Sequence, residues 1–192
     1  MLNQNKSLSL MELIIALALM GLIILGINSI NIFSLNHLLT ADRRAKVQNE
    51  VSYVLECMTK EISRAIGNSA NCPTNCPVSV LNMGTDIVLS ARIDANKNGQ
   101  SDSYPIDYDI VYWFDNTAHT IDYCNNSSGA GNVQCTETLS QTITSFNPTY
   151  NKANNYVGVA ITGRWDPNQA VSPDNPEVSM STSLNMPSVS TH

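Results

Sequence analysis

Residues 13–25 constrain the fold of this chain more than any other segment, because they carry no polar side chain. Glu12 is the only formally charged residue between Lys6 and Asp42. Residues 8–30 would form a helix of roughly 34 Å, which is enough to cross a bilayer core of about 30 Å. The segment therefore predicts a membrane helix. The alternative is a removed secretory signal peptide, but the run is longer than an h-region and lacks a small-x-small cleavage site before a polar mature start.

Glu12 is the informative residue of this segment. A carboxylate at the centre of an apolar span costs about 2.5–3.5 kcal/mol, and less where it reaches the interface. Such groups are usually functional and have a partner. The alternative is that the Glu12 side chain extends to the lipid headgroups and has no further role.

The residues around Glu12 resemble a known signature: a short basic leader, a small residue, and an apolar segment with Glu at its fifth position. This is the type IV prepilin signature of pilins, type II secretion pseudopilins and competence pilins. The motif and its apolar continuation cover about residues 5–35. The family usually has Gly where this chain has Ser7, and Phe or Met where it has Leu8.

The resemblance implies a processing route and an assembly role. A prepilin peptidase/methyltransferase would cut the chain between Ser7 and Leu8 and methylate the new amine of Leu8. Glu12 follows Leu8 by one helical turn and would pair with the amine of a neighbouring subunit, which fixes the axial register. The implied partners are other pilin or pseudopilin subunits, the inner-membrane assembly platform and the membrane itself.

A second helical pattern follows the apolar span. Apolar residues recur at helical spacing and predict one buried stripe, with most charged residues opposite. The stripe consists of Val47, Val51, Val54, Leu55, Met58, Ile62, Ala65 and Ile66. Gly67 is a candidate C-terminal cap. We expect one helix from Leu8 to about Ile66, or alternatively two helices broken within residues 28–36.

The rest of the chain alternates short extended segments with turn residues. Strands are expected at residues 78–81, 86–93, 106–114, 118–123, 141–146, 156–165 and 177–185. Residues 166–176 read as a loop and the last residues as a polar tail. A long helix followed by a mostly antiparallel sheet is an α+β arrangement, which the pilin resemblance also implies. The expected parts are a leader (1–7), a membrane or filament-core helix (8–35) and an exported globular domain (36–192).

The cysteine spacing indicates an oxidising compartment. Cys124 and Cys135 flank a Gly/Ser/Asn loop, and Cys72 and Cys76 flank Pro-Thr-Asn, so two local disulfides are expected. Zinc binding is the alternative, although these spacings form no recognised site. Cys57 is left over on the charged side of the predicted helix, as an exposed thiol or a cross-linking site.

The charges that flank the span give a conflicting orientation. Lys6 precedes the span, whereas Arg43, Arg44 and Lys46 follow it, which by the positive-inside rule places the C-terminal side in the cytoplasm. The cysteines and the leader motif favour the reverse. We expect a single-pass protein of the bacterial inner membrane with a periplasmic or extracellular C-terminal domain.

Residues 94–102 match the spacing of a calcium loop. Oxygen-bearing side chains at positions 1, 3, 5 and 9, with Gly at position 6, are typical of EF-hand-type loops, and position 7 supplies a carbonyl. These positions are occupied by Asp94, Asn96, Asn98, Asp102, Gly99 and Gln100. Position 12 is Pro105 instead of Glu, so Asp107 or Asp109 would have to supply the missing carboxylate. The alternative is a solvated turn.

Charge and composition narrow the function classes. Ten Lys plus Arg stand against sixteen Asp plus Glu, for a net charge of −6, so nucleic-acid binding is not expected. The three His residues lie in no catalytic or metal motif, and we expect no enzyme. Two classes remain: a pilin-like structural subunit that polymerises or primes a filament, and a single-pass anchored binding or sensor domain without an assembly role.

Overall fold

The computed structural model describes residues 10–68, 76–102, 106–126, 133–186 and 189–190. One long helix, α1 (Leu10–Ile62), precedes a series of mostly antiparallel strands, so the α+β prediction is confirmed. The helix is continuous across residues 28–36, and the prediction of a single helix is therefore correct. The chain divides into two compact units, Met1–Asp42 and Arg43–His192.

The described part of the first unit is helix alone. Its side chains are exposed except for the half-buried Thr40, and they include large apolar ones such as Leu22 (66%) and Phe33 (65%). This part of α1 is long and apolar enough to span a membrane. Two of its hydroxyl groups bond back to the helix: Ser29 Oγ donates to the Leu25 carbonyl at 2.9 Å and Thr40 Oγ1 to the Asn36 carbonyl at 3.0 Å. Such internal bonding lowers the cost of placing a hydroxyl in an apolar surrounding.

The second unit contains the C-terminal part of α1, and the predicted apolar stripe is its buried face. The stripe residues on α1 are 0–7% exposed: Val47, Val51, Val54, Leu55, Met58 and Ile62. The helix ends at Ile62, earlier than expected, with a tight turn in which the Ala65 amide donates to the Ile62 carbonyl. Ile66 then donates to the Arg92 carbonyl.

Gly67 was predicted to be a helix cap, and this is wrong. Gly67 belongs to strand β1 (Gly67–Asn68), which pairs in parallel with β10 (Val189–Ser190). Pairing with β10 holds the chain extended soon after the helix ends. Gly67 has a φ of 142° in this extended segment, which glycine adopts without strain. The C-terminal residues, expected to be a polar tail, supply the partner strand β10.

The larger sheet has five antiparallel strands in sequential order. They are β2 (Val78–Met83), β3 (Asp86–Ile93), β4 (Tyr108–Asp115), β5 (Thr120–Asn126) and β6 (Gln134–Ser140). Four of these match predicted strands, but β6 was missed. Its residues are polar and mostly exposed, so it has no apolar alternation to reveal it.

The smaller sheet has three antiparallel strands. They are β7 (Ile143–Asn151), β8 (Tyr156–Arg164) and β9 (Glu177–Asn185). Strand β7 extends past its predicted end at residue 146 and contains Pro148. In its named sheet β7 pairs only with β8, and an edge strand tolerates a proline.

One apolar cluster joins α1 to both sheets. Leu89, Tyr112, Phe146 and Ile161 are each at most 1% exposed and belong to this cluster with the helix stripe. Hydrogen bonds also connect the side of the helix to the segment between the two sheets. Glu50 Oε2 accepts hydrogen bonds from Ser140 Oγ (3.0 Å) and Thr142 Oγ1 (2.7 Å), at the connection between the two sheets.

Candidate functional site

Glu12 lies in the first described turn of α1. The residues beside it are apolar and exposed, with Met11 at 69%, Leu13 at 52% and Ile15 at 55%. The Glu12 carboxylate is exposed on this surface, where lipid, headgroups or another protein chain can reach it. Ser7 and Leu8, the expected cleavage and methylation sites, lie outside the described residues.

The helix face of Glu12 is apolar beyond that first turn. Residues three, four and seven positions later share its face, and these are Ile15, Ala16 and Leu19. Within residues 13–25 no other ionisable group is available on any face. Residues 10–41 of α1 therefore carry one carboxylate, that of Glu12, near the start of the apolar helix.

The cysteines differ in state. Cys124 and Cys135 are joined by a disulfide with an S–S distance of 2.03 Å, across the β5–β6 ladder. Cys76 is also disulfide-bonded, while Cys72 lies outside the described residues. Disulfides of this kind are typical of exported domains.

Cys57 is a free thiol, but its predicted position among the exposed charges is wrong. It is half-buried and packs against the core cluster, because the sheets cover more of the helix surface than the apolar stripe alone. Its carbonyl accepts a hydrogen bond from the Tyr112 hydroxyl at 3.0 Å. A side-chain hydrogen bond with Cys57, with the nearby charges of Cys57 and Glu137, raises the pKa of the exposed Tyr53.

The predicted calcium loop is a compact turn closed by its own side chains. Asp94 accepts hydrogen bonds from the amides of Gly99 (2.7 Å, Oδ2) and Asn98 (3.3 Å, Oδ1), and Gly99 has a φ of 77°. Asp102 Oδ2 accepts from the side-chain amides of Asn96 (2.8 Å) and Asn98 (3.0 Å).

The base of this turn is formed by Asp107, which is fully buried. Its two carboxylate oxygens accept from the amides of Ala95 (3.2 Å) and Asp102 (2.6 Å). In the described ranges no three His, Cys, Asp or Glu side chains converge on a possible metal position. Calcium binding by this turn stays a prediction.

A cluster that the sequence did not single out lies at the start of the second unit. The guanidinium of Arg43 and the ammonium of Lys46 lie 5.9 Å and 5.5 Å from the ring centroid of Trp165. These distances are typical of cation–π contacts. Arg43 also donates to the backbone carbonyl of Asp174 at 2.5 Å.

The loop that carries Trp165 is held by one buried side chain. Asn175 is 4% exposed, and its side-chain amide donates to the carbonyls of Asp166, Gln169 and Ala170. The three prolines within residues 166–176 predicted the loop, but nothing in the local pattern showed that it would return to α1. Such long-range contacts are set by tertiary packing.

Comparisons with protein-family models, with curated proteins and with solved structures found no match. A function for this chain must therefore be argued from its own residues. The features available for that argument are Glu12 with its apolar helix, the disulfide-bonded sheet domain and the Trp165 cluster.

Proposed function

We propose that this protein is a membrane-anchored structural subunit that assembles into, or primes, a type IV pilus or a type II secretion pseudopilus. Its leader, residues 1–7, would be removed and the amine of Leu8 methylated. The subunit would sit in the bacterial inner membrane with its C-terminal domain on the exported side before it enters a filament.

The observation that carries the proposal is the position of Glu12 on α1. A simple membrane anchor needs no carboxylate, and an intramembrane carboxylate costs free energy that a function must offset. The apolar surface of residues 13–25 is exposed on every side, which suits a helix that lipid surrounds first and neighbouring helices surround later. Lipid in the membrane and neighbouring helices in the filament would cover the same side chains.

The proposed mechanism uses charge pairing in a low dielectric. The positively charged amine of Leu8 on one subunit and the Glu12 carboxylate of its neighbour attract strongly where water is excluded. If a neighbouring subunit docks out of register, the amine and the carboxylate stay apart. The desolvation cost of each charge is then not offset by their attraction. The pair thereby selects one axial register during assembly.

The disulfides support the exported orientation against the positive-inside rule. A bonded Cys124–Cys135 pair suits an oxidising compartment, whereas cytosolic thiols are kept reduced. Orientation by flanking charge is a statistical bias and here depends on very few residues.

The decisive experiment compares Glu12→Gln with a matched control. The change removes the charge and keeps the shape, so we expect a folded, inserted subunit whose cross-linking into filaments or subunit complexes drops strongly. Glu56→Gln removes a charge from the exposed side of the same helix and should assemble like wild type.

N-terminal sequencing of the membrane-extracted protein tests the processing step. A mature chain that begins at Leu8 with a methylated amine is the expected result. A terminus within or after residues 13–25 would indicate ordinary signal peptidase and overturn the proposal. Normal complex formation by the Glu12→Gln protein would instead favour the anchored binding or sensor domain.

A further inference from the structure

Two residues of the Trp165 cluster, Arg43 and Lys46, lie close in sequence to the apolar span. Residues 10–39 form about 45 Å of helix, which matches a bilayer of roughly 40–45 Å with its headgroup regions. Leu38 and Leu39 near the end of this stretch are exposed. A chain that crosses the membrane in this way leaves Leu39 near one bilayer surface.

Arg43 follows Leu39 so closely that it must remain near that surface. Even a fully extended connection would separate their Cα atoms by at most about 14 Å. The Trp165 ring lies 5.9 Å from the Arg43 guanidinium, so it is within reach of the same surface. This conclusion does not depend on which side of the membrane the second unit occupies.

The side chains of this cluster have the character of a membrane interface. Trp165 is 38% exposed and Val171, on the same loop, is 56% exposed. Trp is enriched at headgroup level because its ring is apolar and its N–H is polar. Arg44, which follows Arg43 on α1, is exposed and can donate to lipid phosphates.

The charged residues near Trp165 balance one another, so net charge is not what would attract this surface to a membrane. The cations Arg43, Arg44 and Lys46 are matched by three acidic residues, which are Asp42, Asp166 and Asp174. Arg43 contacts Asp174 directly, at 3.9 Å between Nη1 and Oδ1. A surface with balanced charges and an exposed aromatic ring suits zwitterionic headgroups as well as anionic ones.

We propose that Trp165, with Val171 and Arg44, docks into the headgroup region of the bilayer that holds the preceding span. The occupant of this surface is phospholipid, and the contact holds the loop 165–176 on the membrane. This docking is independent of the filament function and would apply equally to an anchored sensor.

The test uses the full chain in phosphatidylcholine vesicles that carry a quencher either at the headgroup or deep in the acyl region. The chain has two tryptophans, so the emission lost in Trp165→Phe isolates Trp165, and Trp113 on β4 is the internal control. We expect Trp165 to be quenched several-fold more by the headgroup quencher than by the deep one. Trp113 should be quenched little by either.

A second pair of variants tests the cation. Arg44→Glu should reduce the headgroup quenching of Trp165, while Lys152→Glu should not. Lys152 lies in the β7–β8 turn, at the other end of the strand that leads into Trp165, about 26 Å away.

Three outcomes would overturn the proposal. Absence of Trp165 quenching in phosphatidylcholine would show that this surface does not meet lipid. Quenching that appears only with anionic lipid and disappears in high salt would show binding by net charge. Equal quenching of Trp113 would show that the domain lies on the membrane without using this surface.

Discussion

Gly163 on β8 lies so close to Val51 on α1 that a Cβ added to Gly163 would stand 2.7 Å from Val51 Cγ2. The same added atom would be 3.2 Å from Val47 Cγ1. Both valines are buried, and neither can move away without disturbing the helix stripe. The absence of a side chain at position 163 is therefore what lets helix and sheet pack together.

Gly163→Ala should destabilise the second unit by about 1–3 kcal/mol, the usual cost of overpacking a core. Chemical unfolding of the purified full chain, followed by tryptophan emission, measures the loss. The double variant with Val51→Ala should lose less than the sum of the two single variants, because the second change removes the clash. Additive losses would show that position 163 is sensitive for another reason.

Tyr112 makes stability depend on alkaline pH. Burial, with the nearby charge of Glu61 as a smaller cause, raises the pKa of Tyr112 well above its usual value. The unfolded chain therefore loses this proton first, near pH 10. The contribution of Tyr112 to the free energy of unfolding is fully present below about pH 10 and is lost progressively as the pH rises further.

Tyr112→Phe should weaken this dependence. The variant also loses the hydrogen bond to the Cys57 carbonyl, so it should be less stable by about 1 kcal/mol at neutral pH. Above pH 10 its free energy of unfolding should fall less steeply than that of wild type. Tyr156→Phe, at an exposed position, is the control, and parallel curves for wild type and Tyr112→Phe would contradict the argument.

The sequence predicted those parts of the fold in which local pattern and tertiary packing agree. The helix stripe from Val47 to Ile62 is strictly periodic, and β3 and β9 have the expected bounds. Strand β6 and the full length of β7 were missed because polar residues and Pro148 carry no strand signal. These segments form strands because their backbone groups pair with those of β5 and β8.

The candidate site divides in the same way. Glu12 stood out in sequence because a charge within an apolar run is conspicuous. The Trp165 cluster did not, because Arg43 and Trp165 are far apart along the chain and only the folded loop joins them. The half-buried state of Cys57 was missed because a helical pattern shows one stripe, whereas two sheets cover a wider surface.

The Cys124–Cys135 disulfide should contribute about 3 kcal/mol by the chain-entropy model. The double variant Cys124→Ala/Cys135→Ala should unfold at correspondingly lower denaturant. Non-reducing peptide mapping of protein taken from the cell envelope should recover the two cysteines as one linked peptide pair. Cys57→Ala should leave that map unchanged, and finding both thiols free would argue against the exported orientation.

Calcium should raise the melting temperature of the full chain if the turn of residues 94–102 binds it. A bound ion stabilises the folded state by mass action, and millimolar calcium makes even a weak site detectable. The measurement compares thermal unfolding with calcium, with magnesium and with a chelator. Asp94→Ala should abolish any calcium-dependent shift because it removes the first carboxylate of the loop.

Asp115 provides the matched control for the loss of turn bonds. Its Oδ1 accepts from the amides of Thr117 (2.7 Å) and Ala118 (2.8 Å), much as Asp94 accepts within its own turn. Asp115→Ala should therefore lower the melting temperature but retain the calcium shift. If wild type shows no shift at millimolar calcium, the hydrogen bonds of Asp94 and Asp102 serve only to close a turn. A shift that survives Asp94→Ala would place the calcium elsewhere.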